Sequence, residues 1–122
     1  MEKRTYTYDE AFAKSLEYFK GDELAARVWV NKYAVKDSFG NIFEQSPEDM
    51  HWRIANEVAR VEAKYTNGLS AQELFDLLDH FKYIVPQGSP MTGIGNDFQV
   101  ASLSNCFVIG VDGAADSYGA II

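Results

Sequence analysis

The chain is short of several things, and each shortage excludes a class of protein. Its one cysteine, Cys106, leaves no intrachain disulfide and no thiolate-rich metal site to draw. Its 3 prolines, Pro47, Pro86 and Pro90, and the lack of any low-complexity tract or internal repeat argue against a disordered tail or a solenoid. No apolar run approaches the ~18 residues that a membrane span needs, and the opening from Met1 to Tyr6 lacks the apolar stretch of a secretory leader. Positive charge is scarce too: 11 Lys and Arg against 18 Asp and Glu leave a net charge of -7, which opposes binding to DNA, RNA or anionic lipid. A single nucleotide is still admissible, because a few backbone amides hold a phosphate locally whatever the global charge. The expectation is a reduced, cytoplasmic setting with neither a membrane nor a nucleic-acid polymer as partner.

What is present suffices for one packed body, since 47% of the 122 residues are hydrophobic. Thr7 and Glu10 have the form of a capping box, and Ala11, Phe12, Ser15, Leu16 and Phe19 recur at helical spacing up to Gly21. A first helix is expected over about 8–20. Asp22 caps a second that runs to about Ala34, with Leu24, Ala25, Val28, Trp29 and Lys32 as its apolar face and charged edge. Asp37 to Asn41 reads as a turn. Ser46, Pro47, Glu48 and Asp49 combine an N-cap, a first-turn proline and first-turn acids; Met50, Ile54, Val58, Val61 and Tyr65 then step along one face until Asn67 and Gly68 close the helix. Ser70 with Glu73 opens a fourth helix whose buried stripe is Leu74, Leu77, Leu78 and Phe81. Together these make a small bundle.

After Pro86 the character changes. Gln87 to Asn96 is rich in turn formers, Phe98 to Val111 is apolar and small in the manner of strands, and Cys106 to Ile109 suits a strand buried on both faces of a sheet. Such a strand needs neighbours. Asp116 to Ile122 reads as a helix begun at a cap and cut short. The expected class is mainly α: a helical domain over 1–85, then the first strands of a truncated α/β domain over 86–122.

Two stretches resemble the large, catalytic subunit of ribonucleotide reductases. Gly21 to Ala34, continued through Asp37 to Glu44 and Ser46 to Ala55, is similar to that family's amino-terminal helical domain. Pro86 to Pro90, followed by Ala101 to Gly110, resembles the entry into its ten-stranded α/β barrel, and the Ser-Leu-Ser-Asn-Cys-Phe run over 102–107 is the most specific part. The resemblance implies a ribonucleoside-diphosphate reductase, in which a thiyl radical removes the ribose 3′ hydrogen and a thiol pair reduces the 2′ carbon. Cys106 matches one thiol of that pair, where a protonated thiol can give a proton to the departing 2′-hydroxyl. The plain alternative is packing, since unpaired cysteines are among the most buried residues.

Ser89 aligns with a hydroxyl residue that contacts substrate in that family, and Ser104 and Asn105 precede Cys106 where it lines the nucleotide pocket. The alternative for all three is ordinary turn chemistry. Asp112, Asp116 and Ser117 fall where the family's deoxynucleotide effector site begins, although Asp116 serves equally as a helix cap. No metal site is expected. His51 and His80 sit without spaced ligand partners, which points to solvent-facing or capping roles, and no acid/base dyad is visible.

Because the chain starts almost directly at the helical domain, with no ATP-binding regulatory domain ahead of it, the resemblance favours the adenosylcobalamin-dependent class. Nothing in these residues binds a corrin, so the fragment itself is expected to hold no cofactor and, lacking the radical cysteine and its partners, to be inactive alone. The implied partners are a ribonucleotide substrate, a deoxynucleotide effector and the remainder of the catalytic subunit, with a homodimer allowed. A rival from another class is a non-catalytic helical interaction module whose strand-forming tail docks on a partner sheet.

Overall fold

The computed structural model describes residues 4–104, 106 and 108–110. Four helices stand where the sequence places them: α1 Tyr8–Tyr18, α2 Glu23–Lys32, α3 Pro47–Glu62 and α4 Ala71–Leu78. A tight turn, Asp79–Phe81, follows α4, and a fifth, short helix, α5, spans Gly88–Gly93. α3 packs against α4 and α1 against α2, so α3 and α1 hold the middle of the bundle.

The local signals act largely as their chemistry requires. In α1 the Thr7 hydroxyl accepts the Glu10 N–H and the Glu10 carboxylate accepts the Thr7 N–H, both at 3.2 Å, while Asp22 and Ser70 cap α2 and α4. Asp37 accepts the N–H groups of Phe39 and Asn41, each at 2.9 Å, which closes the 37–41 turn. That turn brings Ile42 between Tyr6 and Lys36 as isolated antiparallel bridges. The N-terminus of α3 differs from expectation. Ser46 occupies the cap position without a side-chain cap bond, and Asp49 instead reaches back to the Gln45 N–H at 3.0 Å. Ser15 of α1 donates to the Gln45 carbonyl at 3.0 Å and fastens the same junction to its neighbour.

The core gathers Ala11, Trp29, Val30, Ile42, Met50, Ile54, Leu74 and Leu78, with Met91 from α5. Trp29 is nearly fully enclosed and its indole N–H points at the Met50 sulfur at 3.3 Å. Two faces are corrected. α2 buries Ala26, Trp29 and Val30, leaving Leu24 and Val28 exposed, because both sets share the helical period and spacing alone does not choose between them. α3 stops at Glu62, so Tyr65 lies outside the expected stripe and is exposed.

The reversal between α3 and α4 needs a residue without a side chain at Gly68, where a Cβ would sit inside the contact shell of the Glu62 carbonyl. Gly68→Ala is therefore expected to destabilise the fold by about 1–3 kcal/mol, as overpacking does. A shift of the urea midpoint smaller than the experimental scatter would show that the loop relaxes freely.

The stretch expected to form strands does not form them among the described residues. From Asp97 to Gly110 the described backbone carries no ladder, and Val100 and Val108 are fully exposed. A strand's N–H and C=O groups require a neighbouring strand, and the described residues offer none to pair with. Amides of this stretch should exchange fast while those of α3 exchange slowly; equal protection in dilute monomer would contradict it.

Candidate functional site

The segment carrying Ser89 is built into the bundle by a buried arginine. Arg53, in the middle of α3, bonds the Glu44 carboxylate at 2.9 Å and donates to the Met91 carbonyl at 2.5 Å and to the Ile94 carbonyl. Glu44 in turn accepts the Val35 N–H at 3.1 Å, so one ion pair joins the 35–44 turn, α3 and the end of α5. Burial raises Glu44 above the usual carboxylate range, and the adjacent Arg53 guanidinium opposes that rise. Gly95, at φ 74°, lies directly on Arg53, where a Cβ would meet its Cγ at 2.9 Å. The turn formers of 87–96 thus make a short helix, with Pro90 in the first turn, where its missing N–H leaves nothing unpaired.

Ser89 lies half-buried on α5, beside a cleft of 360 Å³ shared with Lys32, Tyr33, Gly88 and Thr92. On the other side of α5 an apolar groove of 430 Å³ runs between Val58 and Val61 of α3 and Ile94, Ala101 and Leu103. Ser104 and Cys106 are exposed beyond it. Asn105, Asp112, Asp116 and Ser117 lie outside the described residues.

A second cluster was not visible in the sequence. Tyr18 of α1 donates its hydroxyl proton to Asp79 at 2.9 Å, and the same Asp79 oxygen lies 3.2 Å from Nδ1 of His51 in α3. The backbone N–H of His80 donates to the Tyr18 oxygen at 2.6 Å, and the His80 and Tyr18 rings stack at 4.4 Å. His51 is completely buried, which corrects the solvent-facing expectation for it. His80 and Phe81 both adopt left-handed backbone, φ 57° and 54°, at about 1–2 kcal/mol each for residues bearing a Cβ. Ring contacts on every side hold them there: Phe81 meets Phe19 at 6.3 Å and His51 at 4.9 Å. Burial raises the Tyr18 phenol well above its ordinary value, with the Asp79 bond adding to it, and burial pushes His51 down against the pull of Asp79.

A protein-family model described as "Ribonucleotide reductase, all-alpha domain" matches residues 19–93, more than half of the chain. The chain belongs to this family. No curated protein and no solved structure gives a significant match. Membership makes the chain part of a ribonucleotide reductase, an oxidoreductase of deoxyribonucleotide synthesis, and the all-helical body agrees with it. The matched residues include α2, α3, α4 and α5, and so the whole Arg53–Glu44 bracket and Ser89, and they stop before Cys106. Among the described residues no helix is long and apolar enough to cross a membrane, and no group of three or more His, Cys, Asp or Glu stands ready for a metal.

Sequence reasoning missed Arg53, Glu44, Tyr18 and Asp79. The one available signal was a guanidinium beside Ile54 in an otherwise apolar-periodic helix, which burial would force to find a carboxylate. Its partner lies 9 residues away across a helix start, and no periodicity connects the two.

Proposed function

We propose that this chain is the substrate-side entry of a ribonucleotide reductase catalytic subunit, in which Cys106 is one thiol of the pair that reduces the ribose 2′ carbon. The observation that carries the reading is the family match over 19–93, with the Ser-Leu-Ser-Asn-Cys-Phe run following at 102–107. In the step assigned to Cys106, the 2′ C–O bond breaks and the oxygen leaves as water. The carbon is reduced by two electrons, and Cys106 and a second thiol are oxidised together to a disulfide. These 122 residues contain no second cysteine, so the step needs a thiol from the remainder of the subunit, and the 122 residues by themselves are inactive.

Ser89, Ser104 and Asn105 are proposed to contact the ribonucleotide, because hydroxyls and amides match phosphate and ribose oxygens. Asp112, Asp116 and Ser117 are proposed to begin the deoxynucleotide effector site. The cofactor proposed for the intact subunit is adenosylcobalamin, which supplies the initiating radical. None of the described residues is assigned to hold the corrin, which would bind the remainder of the subunit; His51, for one, is fully buried against Asp79.

The deciding experiment is mass mapping of the intact subunit after one turnover with adenosylcobalamin and no external reductant. Cys106 is expected in an internal disulfide, in proportion to the deoxynucleotide formed. Deoxynucleotide with Cys106 still a thiol would overturn its assignment, and turnover without adenosylcobalamin would overturn the class.

A further inference from the structure

The Tyr18–Asp79–His51 cluster stands apart from the residues assigned to nucleotide reduction, and its geometry describes a device. His51 is wholly enclosed, yet only its Nδ1 has a partner; Nε2 is buried with no hydrogen-bond partner. Asp79 is the common acceptor for Tyr18 and His51, so the donor on His51 is Nδ1–H, and Nε2 is the bare nitrogen of a neutral ring. Protonation would place an N–H and a positive charge where no acceptor waits. The turn that this cluster holds is the strained pair His80–Phe81, whose left-handed backbone persists only because Tyr18, Phe19 and His51 over-determine it. Directly after the turn, Tyr83 and Ile84 donate back to the Leu77 carbonyl at 3.2 and 3.0 Å, which sets the direction in which the chain leaves toward Ser89.

We propose that the Asp79–Phe81 turn is a proton-operated latch, closed while the His51 ring is neutral and released when that ring is protonated. Release frees the left-handed pair and the Leu77 anchor, and so the lead into α5. The groups facing His51 have opposing effects. Asp79 on the turn favours the charged ring. His80 on the turn and Arg53 of α3 oppose it, and Tyr18 of α1 is a neutral donor spent on Asp79. Lys14 and Glu17 of α1, Lys20 just beyond its end and Glu48 of α3 lie farther out, around the cavity beside His80. Burial is the largest influence on His51 and its net shift is downward. The sign follows. The closed turn binds fewer protons than the open one, in which the ring regains an ordinary value near ~6.5, so opening grows as pH falls below that value, by up to roughly tenfold per pH unit.

The test is NMR of the 122-residue chain between pH ~7.5 and pH ~5.5, a window that spans the imidazole range. It follows the His51 ring and, by hydrogen exchange corrected for its intrinsic pH dependence, the amides of His80, Tyr83 and Ile84. Expected is a His51 midpoint below ~6.5, with opening at those three amides rising up to roughly tenfold by pH ~5.5 while the α3 amides hold. A ring that titrates with no change at the three amides overturns the latch, as does an equal loss of protection in α3. His51→Gln removes the titrating group and should flatten the response; a folded His51→Gln chain that still opens on acidification overturns the proposal. Should that variant not fold, the wild-type titration alone decides.

Discussion

Arg53→Ala should lower the unfolding free energy by about 3–5 kcal/mol, the range for removing one partner of a buried ion pair. Both side chains are nearly enclosed, Arg53 at 11% and Glu44 at 7% exposure, so solvent does little to screen the loss. The substitution strands the Glu44 carboxylate in a poor solvent and removes the donor that Met91 and Ile94 offer their carbonyls to. Arg53→Met should cost less if Glu44 is changed to Gln in the same chain, because an uncharged pair of similar volume leaves no buried charge behind. The effect should also be local in one respect. α5 and Gly95 sit on Arg53, so hydrogen exchange over 91–96 should rise more than over α1. Urea unfolding of the two variants measures the first claim, and a loss below about 1 kcal/mol for Arg53→Ala would show the bracket to be ornamental.

Cys106→Ser is expected to abolish repeated turnover of the intact subunit while changing the stability of this chain by no more than about 0.5 kcal/mol. Serine has nearly the volume of cysteine but supplies no electron, so chemistry and packing separate cleanly. The structure sharpens that separation, because Cys106 is exposed here and exchanging an exposed side chain for one of similar size creates no cavity. The packing alternative makes the opposite forecast, a marked stability loss with turnover preserved. Parallel measurement of steady-state deoxynucleotide formation and the thermal midpoint distinguishes them, and continued turnover by Cys106→Ser would remove the residue from the redox pair.

The bundle was legible because its signals are local. Capping by Thr7, Asp22 and Ser70, the proline at the start of α3 and the Asp37 turn each depend on residues within four positions of one another, and the structure realises every one of them. Periodicity placed α2, but it could not choose between the Leu24–Val28 face and the Ala26–Val30 face, since only the neighbours of a helix decide which stripe is enclosed. The turn formers after Pro86 concealed α5, a helix held by Arg53 rather than by its own propensity.

The two clusters of buried charge and ring nitrogen belonged to the tertiary structure alone. Glu44 meets Arg53 across a helix start, and Tyr18 meets Asp79 across 61 residues. A lone histidine such as His51 has no sequence mark that tells burial from exposure; it is the packing of α1, α3 and the 79–81 turn around it that removes water and makes its charge costly. The sequence by itself determined where the first four helices begin, the family resemblance and the motif around Cys106, because covalent neighbours carry that information. The folded chain decided which polar groups are shut away from water, because dielectric and hydrogen-bond supply are properties of the space between elements.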